Sequence, residues 1–251
     1  MNLLPDELSN PPPIVTGRMR RGEETIHSAP RNTWLFADVI EELLRVTGTL
    51  GRSAGTSRTD IELVGAFSGS APSLELPPEL VAQLAAANTQ ISIAVQPLET
   101  ALLARVGEAR RTGKIETELY VKFIVSGHFD PDAFGRRVGV VVSRILREED
   151  PRPLKARVSF WRERLGPFSA AEFPSSATDQ LLSHVAPQAE RIRDAVNELG
   201  LKSALAFTAL CADATPSLIV TADQLALVAR LGAWLEYSIS IPREHGDLLE
   251  F

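Results

Sequence analysis

Cysteine, methionine and histidine are scarce in this chain, which has one, two and four of them in 251 residues. The single thiol, Cys211, excludes an internal disulfide, as is usual for proteins of a reducing cytoplasm. The histidines are scattered, and the ligand spacings typical of zinc sites are missing. His128 lies close to Asp130 and Asp132, but both aspartates also suit a turn or a helix cap. We therefore expect no metal site.

Long apolar runs are also missing. No stretch approaches the roughly 18 uninterrupted apolar residues that a membrane-spanning helix needs. The first residues show no basic region followed by an apolar one, which a secretory signal would contain. The apolar fraction of 44% and the charged fraction of 23% are typical of a globular protein. We expect a cytoplasmic protein that does not associate with membranes.

An excess of positive charge is absent as well, because the formal net charge is -6. Nucleic-acid binding is dominated by attraction between cations and phosphates, so this balance argues against a nucleic-acid partner. One local exception lies between Arg136 and Arg164, where nine cations are interleaved with four acids. Interleaved signs favour a solvated surface of mixed charge, and the alternative is a site for an acidic partner.

Catalytic motifs are not found either. The chain has neither the G-x-S-x-G turn of a nucleophilic serine nor a glycine-rich phosphate-binding motif. Cys211 ends the apolar run ALAFTALC, which favours a buried strand position over a nucleophile. We expect paired acids such as Glu41 and Glu42 to be solvated, whereas a catalytic carboxyl normally needs a pKa raised by burial. We predict no catalytic residues and no cofactor, and we regard an enzyme as the less favoured class.

What the chain does contain is an internal repeat. Residues 5–24 match residues 131–150 without a gap, and residues 67–97 match residues 211–241. Trp34 and Trp161 fall between the matched segments of their copies. Collinear self-similarity of this kind indicates a duplicated domain. The predicted parts are a first unit over residues 1–97, a helical linker over 98–117, and a second unit with a C-terminal tail over 118–251.

Hydrophobic periodicity predicts the elements of each unit. In the second unit we predict strands over 118–126, 158–162, 204–211, 218–220 and 234–241, and helices over 177–199 and 221–231. In the first unit we predict helices over 38–50 and from Pro77 onward, and strands over 61–67, 74–76 and 91–95. The first unit has no predicted counterpart of the opening strand 118–126, so we expect it to be shortened and to leave a sheet edge open to a partner.

This pattern indicates the α+β class. Hairpin-like turns between strands favour mainly antiparallel sheets, and the amphipathic helices must cover a sheet face. Two homologous units in one chain often pack about an approximate two-fold axis. We therefore expect an internal pseudo-dimer.

The succession of motifs resembles a known bacterial family. The first unit has Arg21-Gly22-Glu23, then Trp34, a helix, an apolar strand, a proline turn, a short strand, a helix and an alternating strand. This order is similar to the domain-of-unknown-function family 4279. The second unit, from LYVKFIVSG to SLIVTADQLALVARLGAWLEYSISI, resembles that family throughout, except that Glu148-Glu149 replaces the Gly-Glu pair. The resemblance implies a tandem member and brings no established activity, cofactor or catalytic residue.

Six residues form the candidate surface for a ligand or partner. They are the tryptophans and the polar pairs that the matches align, namely Arg21, Glu23, Trp34, Arg147, Glu149 and Trp161. Packing is the favoured role of the tryptophans, and the alternative is the wall of a pocket.

We predict a non-catalytic bacterial protein-interaction module of uncharacterised function, an immunity or defence-related partner protein that binds another protein or itself. The alternative is a small-molecule-binding protein or an enzyme with a cleft between the two units. A third possibility is a purely structural subunit.

Overall fold

The computed structural model describes residues 13–21, 24–33, 35–46, 58–67, 73–97, 118–147, 158–169, 175–210 and 217–240. Within these ranges the strands are β1 (Ile14–Arg21), β2 (Glu24–His27), β3 (Arg31–Asn32), β4 (Thr59–Phe67), β5 (Leu74–Leu76), β6 (Thr89–Pro97), β7 (Glu118–Gly127), β8 (Arg144–Leu146), β9 (Ser159–Ser169), β10 (Lys202–Leu210), β11 (Leu218–Val220) and β12 (Trp234–Ser240). The helices are α1 (Phe36–Val46), α2 (Pro78–Ala86), α3 (Pro131–Val138), α4 (Ser175–Val185), α5 (Ala189–Glu198) and α6 (Ala222–Leu231).

The strands form two six-stranded sheets. In the first sheet the order is β11-β6-β4-β1-β2, and β3 also pairs with β1. In the second sheet the order is β5-β12-β10-β7-β9-β8. Pairing is antiparallel except between β4 and β6 and between β10 and β12, which run parallel. The predicted α+β class, with mainly antiparallel sheets, is therefore confirmed.

Each sheet takes one edge strand from the other half of the chain. β5 pairs with β12, where Leu74 lies opposite Tyr237, and β11 pairs with β6, where Leu218 lies opposite Ile93. Helices α2 and α6, which follow these strands, pack against each other. The hairpin-like turns predicted between strands therefore do not pair β4 with β5 or β10 with β11, because each short strand finds its hydrogen-bonding partner in the other sheet.

The two halves use the same strand register. In the first sheet Asp60 lies opposite Gln90, and in the second Ala204 lies opposite Trp234, 144 positions later in both strands. The helix after each short strand begins with an extended N-cap, Pro77 in α2 and Thr221 in α6. Thr221 forms a capping box with Gln224, three residues later.

The first sheet does contain a strand in the place where we expected none. β1 runs antiparallel to β4, with Gly17 opposite Leu63, just as β7 runs antiparallel to β10, with Val121 opposite Phe207. In the described residues the two halves differ instead by α3 and β8, which lie between β7 and β9, whereas β1 is followed directly by its hairpin partner β2. The first half is thus shorter for a different reason from the one predicted.

The match between residues 5–24 and 131–150 does not reflect equivalent positions where both are described. Val15 is fully buried in β1, whereas its matched residue Val141 is 86% exposed in the segment between α3 and β8. Residues 5–12, 22–23 and 148–150 of these segments lie outside the described residues.

The helix predicted over 177–199 is divided into α4, a 3₁₀ turn (Ala186–Gln188) and α5. Pro187 lies in that turn, and proline breaks a helix because it lacks an N–H and its ring collides with the preceding turn. The apolar face nevertheless continues through the break, since Leu181, Val185, Ile192 and Val196 are all buried.

The core lies between the sheets and the helices. Val39, Ile40 and Leu43 of α1 are fully buried against the first sheet, and α4 packs on β7 and β9 of the second. No helix in the described part of the chain is long and apolar enough to cross a membrane.

Candidate functional site

A cluster of cations lies on one face of the second sheet. We call it the cationic face and define it by five side chains, Lys122 of β7, Arg162 and Arg164 of β9, Arg144 of β8 and Lys202 of β10. Lys122 is directly opposite Arg164, and Arg162 is directly opposite Arg144. These strands run side by side, so at least four cations meet within a few strand spacings.

The sequence places these side chains by simple alternation. Along β7, Leu119, Val121, Phe123 and Val125 point to the helix-covered core, so Lys122 points the other way. Along β9, Trp161 is in the core, and Arg162 and Arg164 therefore share the face of Lys122.

An irregularity in the pairing of β7 and β9 shapes one end of this face. The register shifts between Leu119 and Val121, so that Tyr120 faces two residues of β9. Gly166 lies at this point with φ +116°, and a Cβ there would lie 2.5 Å from the carbonyl oxygen of Leu119. Glycine is therefore required for β9 to approach β7 closely here, and bulges of this kind redirect neighbouring side chains.

Lys122 is the central charge of the face. Only 4% of its surface is exposed, and its Nζ donates to Thr208 Oγ1 at 3.3 Å. Burial, followed by the nearby charges of Arg162 and Arg164, lowers the pKa of Lys122 from 10.5 to about 8. A buried amine surrounded by like charge is unfavourable unless something else compensates it.

Tyr120 contributes an aromatic surface beside Lys122. The guanidinium of Arg164 lies over its ring, 4.6 Å from the centroid, and the Lys122 amine is 5.7 Å from the same centroid. Its hydroxyl donates to the Glu118 carboxylate. Burial, with help from the Glu118 carboxylate, raises the pKa of Tyr120 to about 12, so the phenol stays neutral. The ring therefore acts as a cation-binding surface.

A second aromatic residue pairs with a cation on the same sheet. Lys202 Nζ lies 4.3 Å from the centroid of Trp234 and 2.6 Å from Glu236 Oε1. Glu75 lies directly opposite Glu236, so this side of the face also carries acidic groups, and the positive charge is concentrated around Lys122.

The first sheet has an ion pair at the position equivalent to Lys122. By strand pairing, Arg18 of β1 holds the place of Lys122, and its neighbour on β4 is Glu62. Arg18 and Glu62 form an ion pair. In the second sheet the residue opposite Lys122 on β10 is Ala206, and the residue opposite it on β9 is Arg164. One half of the protein has a carboxylate at this place, and the other has an alanine.

The predicted site residues that the structure describes lie in different parts of the fold. Arg21 ends β1 in the first sheet, whereas Arg147 follows β8 and forms an ion pair with Asp132 at the start of α3. Trp161 is fully buried, with its ring 5.3 Å from Phe134 and 6.4 Å from Phe123 between centroids. Its packing role is therefore seen directly. Glu23, Trp34 and Glu149 lie outside the described residues.

Sequence reasoning did include Arg144, Arg162 and Arg164 in the basic segment 136–164, but it missed Lys122. The available signal was a lysine in the middle of a strand whose core-facing residues are all apolar. This lysine comes two residues after a tyrosine, and both lie on the face opposite the core. The opposing Ala206 belongs to a strand 84 residues away, and that neighbour is not visible from local pattern.

Metal binding has no visible basis in the described ranges, where no group of three or more histidine, cysteine, aspartate or glutamate side chains lies together. Comparison with known proteins gives no further guidance. No family model matches the chain, no curated protein is similar to it, and no solved structure is similar to it.

Proposed function

We propose that this protein is a non-catalytic protein-interaction module that binds an acidic segment of a partner protein on the cationic face. The observation that carries the proposal is the row of cations on adjacent strands, in which Lys122 lies opposite Arg164 and Arg162 lies opposite Arg144. On binding, a partner's carboxylates would bring the opposite charge to this row.

The composition of the face supports a protein partner. Arginine, tyrosine and tryptophan are enriched at the centres of protein interfaces. Arg162, Arg164 and Tyr120 lie on the adjacent strands β7 and β9, and Trp234 lies on the same sheet on β12, three strands from β9. Arginine also binds carboxylates in a planar, two-bonded geometry that lysine lacks.

A single-stranded nucleic acid is less well suited to the same face. Such ligands bind by stacking bases on open aromatic rings. The ring of Tyr120 is covered by Arg164 and the ring of Trp234 by Lys202, so both surfaces already carry a cation. The net charge of -6 also disfavours a long phosphate backbone.

The architecture that presents this face is, in our proposal, an internal pseudo-dimer of two homologous units of the family 4279 type. The constant displacement of 144 positions between β4 and β10 and between β6 and β12 supports a duplication. A bacterial, cytoplasmic partner protein with an immunity or defence role remains our hypothesis for its setting.

The alternative of a small-molecule cleft between the two units receives less support. Where α2 meets α6, the side chains of Val81, Leu84, Leu225 and Val228 are fully buried. This close aliphatic packing favours a structural role for α2 and α6, in which they hold the two halves together.

The test uses a fluorescent decapeptide of glutamate and measures its binding to the full-length protein by anisotropy. We expect binding that weakens with salt and that falls at least tenfold in Arg164→Glu, whereas Arg45→Glu, on α1 of the other half, binds as the unchanged protein does. A single-stranded oligonucleotide and a lysine decapeptide are measured in parallel. Peptide binding that ignores Arg164→Glu, or stronger binding of the oligonucleotide, would show that the proposal is wrong.

A further inference from the structure

One row of side chains on the second sheet changes its charge from one edge of the sheet to the other. We call it the polar row and define it by Glu75 of β5, Glu236 of β12, Ala206 of β10, Lys122 of β7 and Arg164 of β9. Each of these residues lies directly opposite the next one on the adjacent strand. Opposite residues point to the same face of a sheet, so the row runs across five strands on the side away from the helix-covered core. It has an acidic end, a small central residue and a cationic end.

The two ends of the polar row are too far apart to neutralise each other within one chain. At a strand spacing of about 4.8 Å, Glu75 lies about 19 Å from Arg164. Charges on a protein surface are largely screened beyond about 8 Å at physiological salt. At the acidic end, Glu75 is exposed and directly opposite Glu236, and like charges in this position repel each other. A cation from another molecule would therefore be favourable beside Glu75.

The order of its residues makes the polar row complementary to itself. A second copy can be placed face to face with the first, about a two-fold axis that lies between the two sheets and runs parallel to β10 above Ala206. This axis reverses the row, so Glu75 of each copy faces Arg164 of the other, and Glu236 faces Lys122. Ala206 faces its own counterpart, and its small side chain lets the sheets approach. Two twisted sheets pack in this way about 10 Å apart, with their strands within about 30° of each other.

The neighbouring rows fit the same arrangement. Trp234 and Ile124 lie on either side of β10 in the next row and are both half-exposed, and the axis brings each against the other in the second copy. In the row on the other side, the axis brings the large Tyr120 against the small, exposed Ser238. Lys202 of β10 comes opposite its own counterpart, where its charge is offset by a glutamate of its own chain, 2.6 Å away. Large side chains therefore meet small or apolar ones.

We propose that the acidic partner of the cationic face is a second copy of this chain, bound through the polar rows of both copies in a two-fold symmetric dimer. The proposal rests on the proposed function, because it uses the same face and identifies the acidic segment as the edge formed by Glu75 and Glu236. The central contact joins Arg164 of each copy to Glu75 of the other. Because the symmetry repeats every contact, each single charge reversal disturbs the interface twice.

Sedimentation equilibrium of the full-length protein, at several protein concentrations and two salt concentrations, measures this dimer. We expect a concentration-dependent dimer that weakens with salt. Glu75→Arg and Arg164→Glu should each raise its dissociation constant at least tenfold. Glu79→Arg on α2 and Arg45→Glu on α1 make the same charge changes outside the row and should leave the constant unchanged. A protein that stays monomeric, or a dimer that tolerates both reversals in the row, would overturn the proposal.

A mixture of the two charge-reversed variants tests the predicted pairing directly. In a mixed dimer of Glu75→Arg with Arg164→Glu, the two reversed side chains face each other in one contact, and the two original side chains face each other in the other. We expect this mixture to dimerise about as tightly as the unchanged protein, although each variant alone does not. Circular dichroism checks that both variants are folded. A mixture of folded variants that stays monomeric would exclude this arrangement.

The glutamate decapeptide separates this proposal from the proposed function. At protein concentrations far below the dissociation constant of the dimer, Glu75→Arg should bind the peptide as the unchanged protein does, because position 75 is at the far end of the row. Peptide binding without any dimer would reject the second copy as the partner and leave the proposed function intact. A dimer with the expected rescue, but without peptide binding, would do the reverse. Unfolding measured at the same low concentrations reports on the single chain.

Discussion

At the scale of single residues, the informative contrast is between Arg18 and Lys122. The two occupy equivalent strand positions, but Arg18 is exposed beside Glu62, whereas Lys122 is buried beside Ala206. An exposed ion pair contributes little to stability, whereas burial and the nearby arginines disfavour the charged form of Lys122, as its lowered pKa indicates. Stability alone would therefore favour an apolar side chain at position 122.

Replacement of Lys122 by methionine tests this cost. The pKa of Lys122 is lowered in the folded protein to about 8 from 10.5, so the unfolded chain holds the proton more tightly. The resulting penalty is complete below pH 8 and fades as the pH rises towards 10.5. We expect Lys122→Met to raise the free energy of unfolding at pH 7 by about 1–3 kcal/mol, measured by urea denaturation.

The pH dependence provides the control for that experiment. The advantage of Lys122→Met over the unchanged protein should shrink steadily between pH 8 and pH 9.5, because the folded unchanged protein loses its buried charge over this range. Lys202→Met removes an exposed lysine from the same strand face and should give no gain at any pH. A constant advantage across the pH range would mean that packing, and not charge, is responsible.

Gly166 provides a second prediction at this scale. An alanine there would place Cβ 2.5 Å from the Leu119 carbonyl oxygen at φ +116°, so β9 would have to move away from β7. We expect Gly166→Ala to destabilise the protein by about 2–4 kcal/mol, measured as a lower thermal midpoint. Gly200→Ala, at φ +61° with no atom within 4 Å, should cost only about 1 kcal/mol. Equal effects would contradict the close approach.

At the scale of elements, local sequence predicted where helices begin and end, but it did not predict which strands pair. The helix predicted over 221–231 is observed as α6, with Thr221 at its N-cap and Gly232 at its left-handed end, and Asp130, which suits a helix cap, caps α3. These features depend on a few neighbouring residues. The partners of β5 and β11 were not predicted, because a three-residue strand with two buried side chains fits any open sheet edge of suitable shape.

The edge strand β5 allows a test of its observed pairing. Glu75 lies directly opposite Glu236 of β12, and like charges in this position disfavour pairing. We expect Glu75→Lys to stabilise the protein by about 0.2–1 kcal/mol at low salt, with the gain lost at high salt. Glu79→Lys makes the same charge change in the first turn of α2 and should instead destabilise slightly. Stabilisation by both variants would indicate a general charge effect.

At the scale of the whole molecule, the two sheets cannot be separated without breaking strand pairs. The internal repeat indicated two units, and hydrophobic periodicity located most of their strands. Neither the repeat nor the periodicity predicts that β5 joins the second sheet and β11 joins the first. The cationic face was unpredictable for the same reason, because it depends on which strands lie beside β7. Non-local pairing is fixed by the packing of the complete chain.

Division of the chain tests this interdependence. Fragments 1–97 and 118–251 each lose an edge strand and expose the buried faces of α2 and α6, where Leu84 and Val228 are fully buried. We expect neither fragment alone to give a dispersed amide NMR spectrum, and an equimolar mixture to elute as one complex with such a spectrum. Leu84→Arg in the first fragment should abolish the complex, whereas Gln83→Arg, at an exposed neighbouring position, should not. Two fragments that fold independently would mean that each sheet is complete without the other half, because the exchanged strands would then contribute little to either core.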